Sequence, residues 1–145
     1  MSLKTLSVVG FVIMVTAIVA MFYRRCLLGT GPITAGVQVV AILLMIWARM
    51  TFGHRSFHAV ANPTEGGLVT TGPYHYLRHP IYAAVLWFVM SGAAAHLSLE
   101  SILLALVLVA GAALRIYAEE RLVVQRYPEY VAYAARTPRV IPFLF

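Results

Sequence analysis

The sequence has little charge and no aspartate. Only 11% of its 145 residues are charged, whereas soluble domains average about 25%. The hydrophobic share is 61% and the mean hydropathy is +0.85. This composition excludes an ordinary soluble domain and predicts an integral membrane protein. Because no Ser-rich, Gly-rich or like-charge stretch suggests a linker, residues 1–145 are expected to form a single domain.

Cysteine is almost absent as well. The single residue, Cys26, excludes an intramolecular disulfide and any paired-cysteine metal site. Its position beside Arg24 and Arg25 is typical of a small residue at the membrane interface, and S-palmitoylation is the alternative. The net charge of +6 could suggest nucleic-acid binding. In so apolar a chain it instead indicates cytoplasmic loops that face anionic lipid headgroups, so no nucleic-acid partner is expected.

Four apolar runs are long enough, or nearly long enough, to cross a bilayer, for which a helix needs about 20 residues. They predict an all-α integral membrane fold with about four transmembrane helices. The runs cover residues 6–23, 33–48, 81–97 and 99 to about 116. Residues 1–48 therefore form two N-terminal transmembrane helices, 49–80 a cytoplasmic loop, and 81–145 a helical hairpin and C-terminal tail.

The last two runs are separated by too few polar residues for a true loop, which predicts a tight antiparallel hairpin. Ser98 can cap the fourth helix, and Glu100 suits the positive end of its dipole. No proline interrupts residues 99–127. The fourth helix is therefore expected to continue beyond the bilayer through Glu119 and Glu120.

Basic residues in the flanking segments predict the orientation. Nine lie on the side shared by both termini and the 49–80 loop, against only Arg24 and Arg25 on the other side. Because basic loops stay in the cytoplasm, the chain is predicted to be a multi-pass protein of a bacterial-type inner membrane with both termini in the cytoplasm. The hairpin then brings Arg78 and His79 to the same membrane surface as Arg115, Glu119 and Glu120. Taken singly, these residues could equally be interfacial anchors or solvated ion pairs.

Histidines offer a zinc alternative, because the i, i+4 spacing of possible nitrogen ligands occurs twice, in His54 and His58 and in His75 and His79. No cysteine lies nearby and the intervening residues impose no fixed geometry, so no metal site is expected. The sequence also lacks GxxxxGK[ST], a GxGxxG following a strand, and GxSxG. A nucleotide-derived cofactor would need another kind of pocket.

Several motifs together resemble the isoprenylcysteine carboxyl methyltransferase and phospholipid methyltransferase superfamily. The resemblance covers roughly residues 68–142, about half of the chain. Its motifs are LVTTGPY at 68–74, RHPIY at 78–82, Arg115, EERL at 119–122, YPEY at 127–130, Tyr133 and TPRVIP at 137–142.

The resemblance implies a pocket for S-adenosylmethionine at the cytoplasmic helix ends and a lipidic or prenylated substrate that enters from the bilayer. Arg115 matches a family arginine near the reacting end, which makes it the candidate to handle the acceptor. The residues that match the family's cofactor-binding motifs are Tyr74, Arg78, His79, Pro80, Tyr82, Glu119 and Glu120. Ala84 departs from the usual glycine, and its methyl group would tighten the cofactor pocket or shift the helix packing.

The expected reaction is methyl transfer from S-adenosylmethionine, with carboxyl O-methylation of an isoprenylcysteine-type acceptor as the leading activity. Phospholipid N-methylation and thiol S-methylation remain open. From other classes, an NADPH-dependent membrane reductase and a non-catalytic membrane module or exporter also remain. The exporter is disfavoured because the first two apolar runs carry no charge for coupling.

Overall fold

The computed structural model describes residues 1–53 and 67–142, and the described part is helical. Proline begins two of the helices, where its missing N–H has no intrahelical partner to lose. The helices are α1 (Leu3–Tyr23), α2 (Pro32–Phe52), α3 (Pro80–His96), α4 (Leu99–Arg126) and α5 (Tyr130–Ala134), with a 3₁₀ turn at Gly72–His75 before α3.

The predicted all-α membrane fold is confirmed. By length and apolar composition α1, α2 and α4 can each cross a bilayer, and α3 is a shorter apolar helix of 17 residues. Three helices extend beyond the predicted apolar runs by at least three residues: α1 begins at Leu3 rather than at residue 6, α2 continues from residue 48 to Phe52, and α4 reaches Arg126. The extension of α4 carries the two adjacent glutamates as expected, because a helix persists past its apolar stretch while no residue breaks it.

The core forms where α1, α3 and α4 meet. Met14 and Met21 of α1 pack with Val89 of α3 and Leu108 of α4, all of them buried. Helix α1 packs most extensively on α4, whereas α2 packs on α3. The bundle is therefore a three-helix core with α2 on its outside, and much of the apolar surface of α2 faces outwards. Such an apolar exterior suits a lipid environment.

Helices α1 and α4 come into close backbone contact at two glycines. A Cβ atom added at Gly10 would lie 2.7 Å from the carbonyl oxygen of Gly111, and one added at Gly111 would lie 2.9 Å from that of Gly10. Any larger side chain would push the backbones apart, since both obstacles are main-chain atoms. Small residues allow this kind of close helix contact in membranes. The contact places the next turn of α4, with Arg115, directly against α1.

The α3–α4 hairpin is tight, as predicted. The Ser98 hydroxyl accepts a hydrogen bond from the Ser101 N–H and so caps α4. At this end of the bundle Glu100 pairs with Arg24, and Gln38 of α2 donates to the Leu27 and Phe88 carbonyls. These polar contacts join the α1–α2 connection to the hairpin, so the apolar helices are held together at the end opposite the candidate site.

At the other end, the C-terminal tail docks on the segment that precedes α3. The N–H groups of Arg78 and His79 donate to the carbonyl oxygens of Pro138 and Arg139, at 2.8 and 2.9 Å. The Tyr133 hydroxyl donates to the Tyr74 carbonyl. The beginning of α3, the end of α4 and the tail thus meet in one place, which we call the site end of the bundle.

Candidate functional site

Two polar clusters at the site end are built around adjacent residues of α4, Glu119 and Glu120. Neighbouring positions on an α-helix point about 100° apart, so the two carboxylates face different surroundings. Glu119 faces α3, where it meets Tyr82. Glu120 faces the segment before α3 and the C-terminal tail, where it meets Arg78 and Arg139. The hairpin therefore produces two distinct acidic centres.

The Glu120 cluster is rich in donors. Oxygen Oε1 accepts from Arg78 Nη1 at 2.8 Å and from the Tyr130 hydroxyl at 3.2 Å, and it lies 3.2 Å from His79 Nε2. Oxygen Oε2 accepts from Arg139 Nη2 at 3.1 Å. The Arg78 side chain is only 8% exposed, whereas that of Arg139 is 46% exposed. Arg139 Nε also donates to both oxygens, so Oε1 is held mainly by buried partners, whereas Oε2 is held by the half-exposed arginine of the tail.

The Glu119 cluster lies against α3. Its Oε1 accepts from the Tyr82 hydroxyl at 2.6 Å and from Arg115 Nε at 3.0 Å. Arg115 Nε also donates to the Tyr82 hydroxyl, which closes a three-residue arrangement. Arg115 is buried, although it is a charged residue on a helix that can span a membrane. Such a residue is stable there because it is paired and hydrogen-bonded.

An aromatic ring of α1 also contacts Arg115. The guanidinium carbon lies 4.9 Å from the centroid of the Phe11 ring and 6.0 Å from that of the Tyr82 ring. Both distances are within the range of cation–π attraction. The guanidinium thus receives contacts from three helices: α4, which carries it, α3 through Tyr82, and α1 through Phe11.

Buried tyrosines fasten the tail. Burial raises the pKa of the Tyr133 hydroxyl to about 12, and burial likewise raises the pKa of the Tyr74 and Tyr130 hydroxyls. These phenols therefore remain protonated donors at neutral pH. The Tyr74 ring lies 5.4 Å from the Phe52 ring, so this residue links the end of α2 to the tail. Pro80 is fully buried as the first residue of α3.

The histidines proposed as alternative zinc ligands divide between two parts of the chain. His54 and His58 lie outside the described residues. His79 is engaged with Glu120, and His75 is exposed beside the Tyr76 ring at 5.0 Å between centroids. Within residues 1–53 and 67–142, no group of three potential ligands is placed to hold a metal ion.

Ala84 lies away from both acidic clusters. It is buried and lines an apolar cavity of about 210 Å³. The cavity lies among α1, α2 and α3, and its other walls include Ile18, Ala41, Val85 and Phe88. Of the two effects expected from the extra methyl group, this position favours a change in packing between α2 and α3.

The structure adds three residues that the sequence prediction did not include in the site. Tyr130 and Arg139 bind Glu120, and Phe11 covers Arg115. The first two occur within the motifs that carried the resemblance, so their place in those motifs was an available signal. For Phe11 the sequence carried no such signal, because one aromatic residue in an apolar helix looks like any lipid-facing side chain.

The helices form an apolar bundle with a buried, charged site at one end. The protein therefore belongs to the class of integral membrane proteins that carry a polar reaction or binding centre. Within that class the particular family is clear. The isoprenylcysteine carboxyl methyltransferase (ICMT) family matches residues 34–125, which is more than half of the chain and includes both central glutamates, Glu119 and Glu120, but ends before Tyr130 and Arg139. The chain belongs to this family of membrane methyltransferases.

One relative is the nickel-cobalt-cadmium resistance protein NccN of Alcaligenes xylosoxydans xylosoxydans, which is 42% identical over 82 residues. The alignment covers 53% of this chain and 37% of the relative, so this chain spans little more than a third of that protein's length. No solved structure matches the chain significantly.

Proposed function

We propose that the chain transfers a methyl group from S-adenosylmethionine to a hydrophobic acceptor in the membrane, with an isoprenylcysteine-type carboxylate as the leading acceptor. One observation carries the proposal. Residues within the family match that are far apart in sequence, from Arg78 to Glu120, converge on one buried polar site at the end of an apolar bundle. The location of this site at the end of an apolar bundle suits a reaction between a soluble cofactor and a substrate dissolved in lipid.

The donor set suits the methionine part of the cofactor. Arg78 Nε is buried and has no hydrogen-bond partner among the described residues, so it can donate to a carboxylate without giving up an existing bond. Glu120 can bind an ammonium group through Oε2, where its present partner is the half-exposed Arg139. Glu119 offers a second carboxylate, and His79, Pro80, Tyr74 and Tyr82 complete the proposed pocket. When bound, S-adenosylmethionine supplies an electrophilic methyl group on a positively charged sulfur.

Arg115 is the residue proposed to bind the acceptor. Its Nε is held by Tyr82 and Glu119, which restrains the guanidinium next to the proposed cofactor pocket. A guanidinium can bind a carboxylate acceptor and keep it ionised, so methyl transfer to that group needs no general base. Alignment of the two reacting groups, with water excluded, can contribute about 7–11 kcal/mol. An amine or thiol acceptor would require proton removal, for which His79 would be the first candidate.

The hydrophobic part of the acceptor has a suitable place nearby. The apolar cavity of about 210 Å³ includes Val85, which is three residues beyond Tyr82 and so lies on the same side of α3. An acyl or prenyl chain there would leave its polar head near Arg115. We further propose that the site end faces the cytoplasm of a bacterial-type inner membrane, because the basic residues concentrate at that end.

Calorimetric titration of the detergent-solubilised chain with S-adenosylmethionine tests the proposal. We expect binding in the wild type and weaker binding in His79→Ala and Glu120→Ala, with helix content unchanged by circular dichroism. Glu129→Ala is the matched control, because Glu129 is exposed at the same end of the bundle. Absence of binding in folded wild-type protein, or selective binding of NADPH, would refute the proposed cofactor.

The named relative supports a second, physiological proposal. Because NccN is called a nickel-cobalt-cadmium resistance protein, methyl transfer by this chain would contribute to metal tolerance in its host. A host that lacks the chain should then grow more slowly in nickel, cobalt or cadmium, and wild-type protein should restore growth. If Arg115→Ala restored growth to the same level as the wild-type protein, metal tolerance would not depend on the proposed methyl transfer.

A further inference from the structure

Glu120 has two arginine partners that hold it differently. The Arg78 side chain is 8% exposed, and its Nη1 donates to Oε1 at 2.8 Å. The Arg139 side chain is 46% exposed and its contacts are longer: Nε lies 3.3 Å from Oε1 and 3.2 Å from Oε2, and Nη2 lies 3.1 Å from Oε2. Charge-assisted N–H···O bonds are usually about 2.7–2.9 Å long. Arg78 is therefore the firm partner of this carboxylate, and Arg139 is the weaker partner that a competing cation can replace.

The tail stays docked without the Arg139 side chain. The His79 N–H donates to the Arg139 carbonyl oxygen at 2.9 Å, and the Arg78 N–H donates to that of Pro138 at 2.8 Å. Because these bonds join main-chain atoms, the Arg139 guanidinium can turn away while its backbone remains in place. Exchange of the cation at Glu120 therefore requires only the rotation of one long, half-exposed side chain.

The charges of this cluster fit a ligand that carries both signs. Glu120 brings one negative charge, whereas Arg78 and Arg139 bring two positive charges. Arg78 Nε is also buried without a hydrogen-bond partner among the described residues. A ligand with an ammonium group beside a carboxylate matches both features, since its carboxylate can bind Arg78 and its ammonium can take Oε2 of Glu120. That oxygen then exchanges one cation for another and is never left unpaired, which would be costly in a buried site.

We propose that Arg139 is an exchangeable counter-ion of Glu120, which pairs with the carboxylate until the ammonium group of the cofactor displaces it. The inference rests on the proposed function, because it takes the ligand to be the methionine part of S-adenosylmethionine. Arg139 then competes with the cofactor and weakens its binding. The product keeps the same ammonium group after it has lost the methyl group, so Arg139 favours product release in the same way.

Calorimetric titration of the detergent-solubilised chain with S-adenosylmethionine at low salt measures this competition. Arg139→Gln should lower the Kd about threefold, because it removes a half-exposed competing cation. Arg139→Lys keeps the cation and should keep the Kd close to the wild-type value. At about 0.5 M NaCl the difference between the wild type and Arg139→Gln should shrink, since salt screens exposed ion pairs. Arg136→Gln is the matched control, because it removes an exposed arginine from the same tail and should change the Kd much less.

The possible outcomes separate this inference from the proposed cofactor. A Kd in Arg139→Gln equal to or above that of the wild type would overturn the exchange while leaving the cofactor in place. Binding in Arg139→Gln alone would support the exchange. Absence of binding in both folded proteins would refute the cofactor, and with it this role of Arg139.

Limited trypsin digestion tests whether Arg139 is instead a structural fastener of the tail. Cleavage after the exposed Arg136, next to the buried Thr137, requires the tail to open. Arg139→Gln should change the rate of this cleavage, followed by mass spectrometry, by less than about fivefold, because the backbone hydrogen bonds of the tail remain. A much larger acceleration would show that the side chain holds the tail closed, and it would overturn the inference.

Discussion

Glu120→Gln should loosen the C-terminal tail, because Glu120 joins the tail to the segment before α3. The substitution keeps the side-chain shape but removes the charge that Arg78, His79 and Arg139 share. Breaking a buried ion pair costs about 3–5 kcal/mol, whereas an exposed pair contributes about 0–1 kcal/mol. The ion pair between Glu120 and Arg78 is buried, whereas the pair between Glu120 and the half-exposed Arg139 counts as an exposed pair. Since glutamine retains one acceptor oxygen, we expect a cost of about 3 kcal/mol, at the lower end of the buried range.

Limited trypsin digestion measures this cost. Arg136 is exposed, but the next residue, Thr137, is buried, so cleavage between them requires the tail to open. When opening is fast, the cleavage rate follows the population of the open state, and about 3 kcal/mol corresponds to roughly 150-fold faster cleavage. Glu129→Gln makes the same chemical change at an exposed position of this end. Cleavage of Glu120→Gln at the rate of this control would refute the reasoning.

Three further substitutions have defined outcomes. Gly10→Ala should destabilise the bundle by about 1–3 kcal/mol in thermal unfolding, whereas Gly36→Ala, whose Cβ meets no atom within 4 Å, should not. Tyr133→Phe should lower the melting temperature at neutral pH. The Tyr133 hydroxyl has a pKa of about 12 in the folded state and about 10 in the unfolded state, so its contribution to stability is complete below about pH 10 and is lost as the pH rises to about 12. The difference in melting temperature from the wild type should therefore vanish over that range. Ala41→Phe should fill the apolar cavity and raise the KM for a farnesylated acceptor while leaving the Kd of the cofactor unchanged; an unchanged KM would show that the cavity is not used.

Local patterns made the helical framework predictable. Pro32 and Ser98 mark helix starts, and the short link between α3 and α4 dictates that Arg78 and Glu120 return to one end. These features depend on chain direction and length, which a sequence shows directly. The ion pairs between the segment before α3 and the end of α4 followed from that topology, although the functions of the residues remain predictions.

Contacts between distant segments were less predictable. Arg139 reaches Glu120 only because the tail forms backbone hydrogen bonds with Arg78 and His79, and no local pattern specifies that docking. Phe11 faces Arg115 because α1 and α4 meet at two glycines and thereby acquire a particular rotation. Helix rotation in an apolar bundle depends on packing, so hydropathy alone cannot predict it.

The glycine contact between α1 and α4 affects where a lipidic molecule can enter the bundle from the bilayer. Where the Gly10 and Gly111 backbones touch, no gap is wide enough for a hydrocarbon chain. The opposite flank differs, because α2 packs on α3 and an apolar cavity lies between these helices and α1. We therefore expect a lipidic molecule to enter from the α2 flank. The tight crossing of α1 and α4 thus gives the bundle one closed side, opposite the side where α2 borders the cavity.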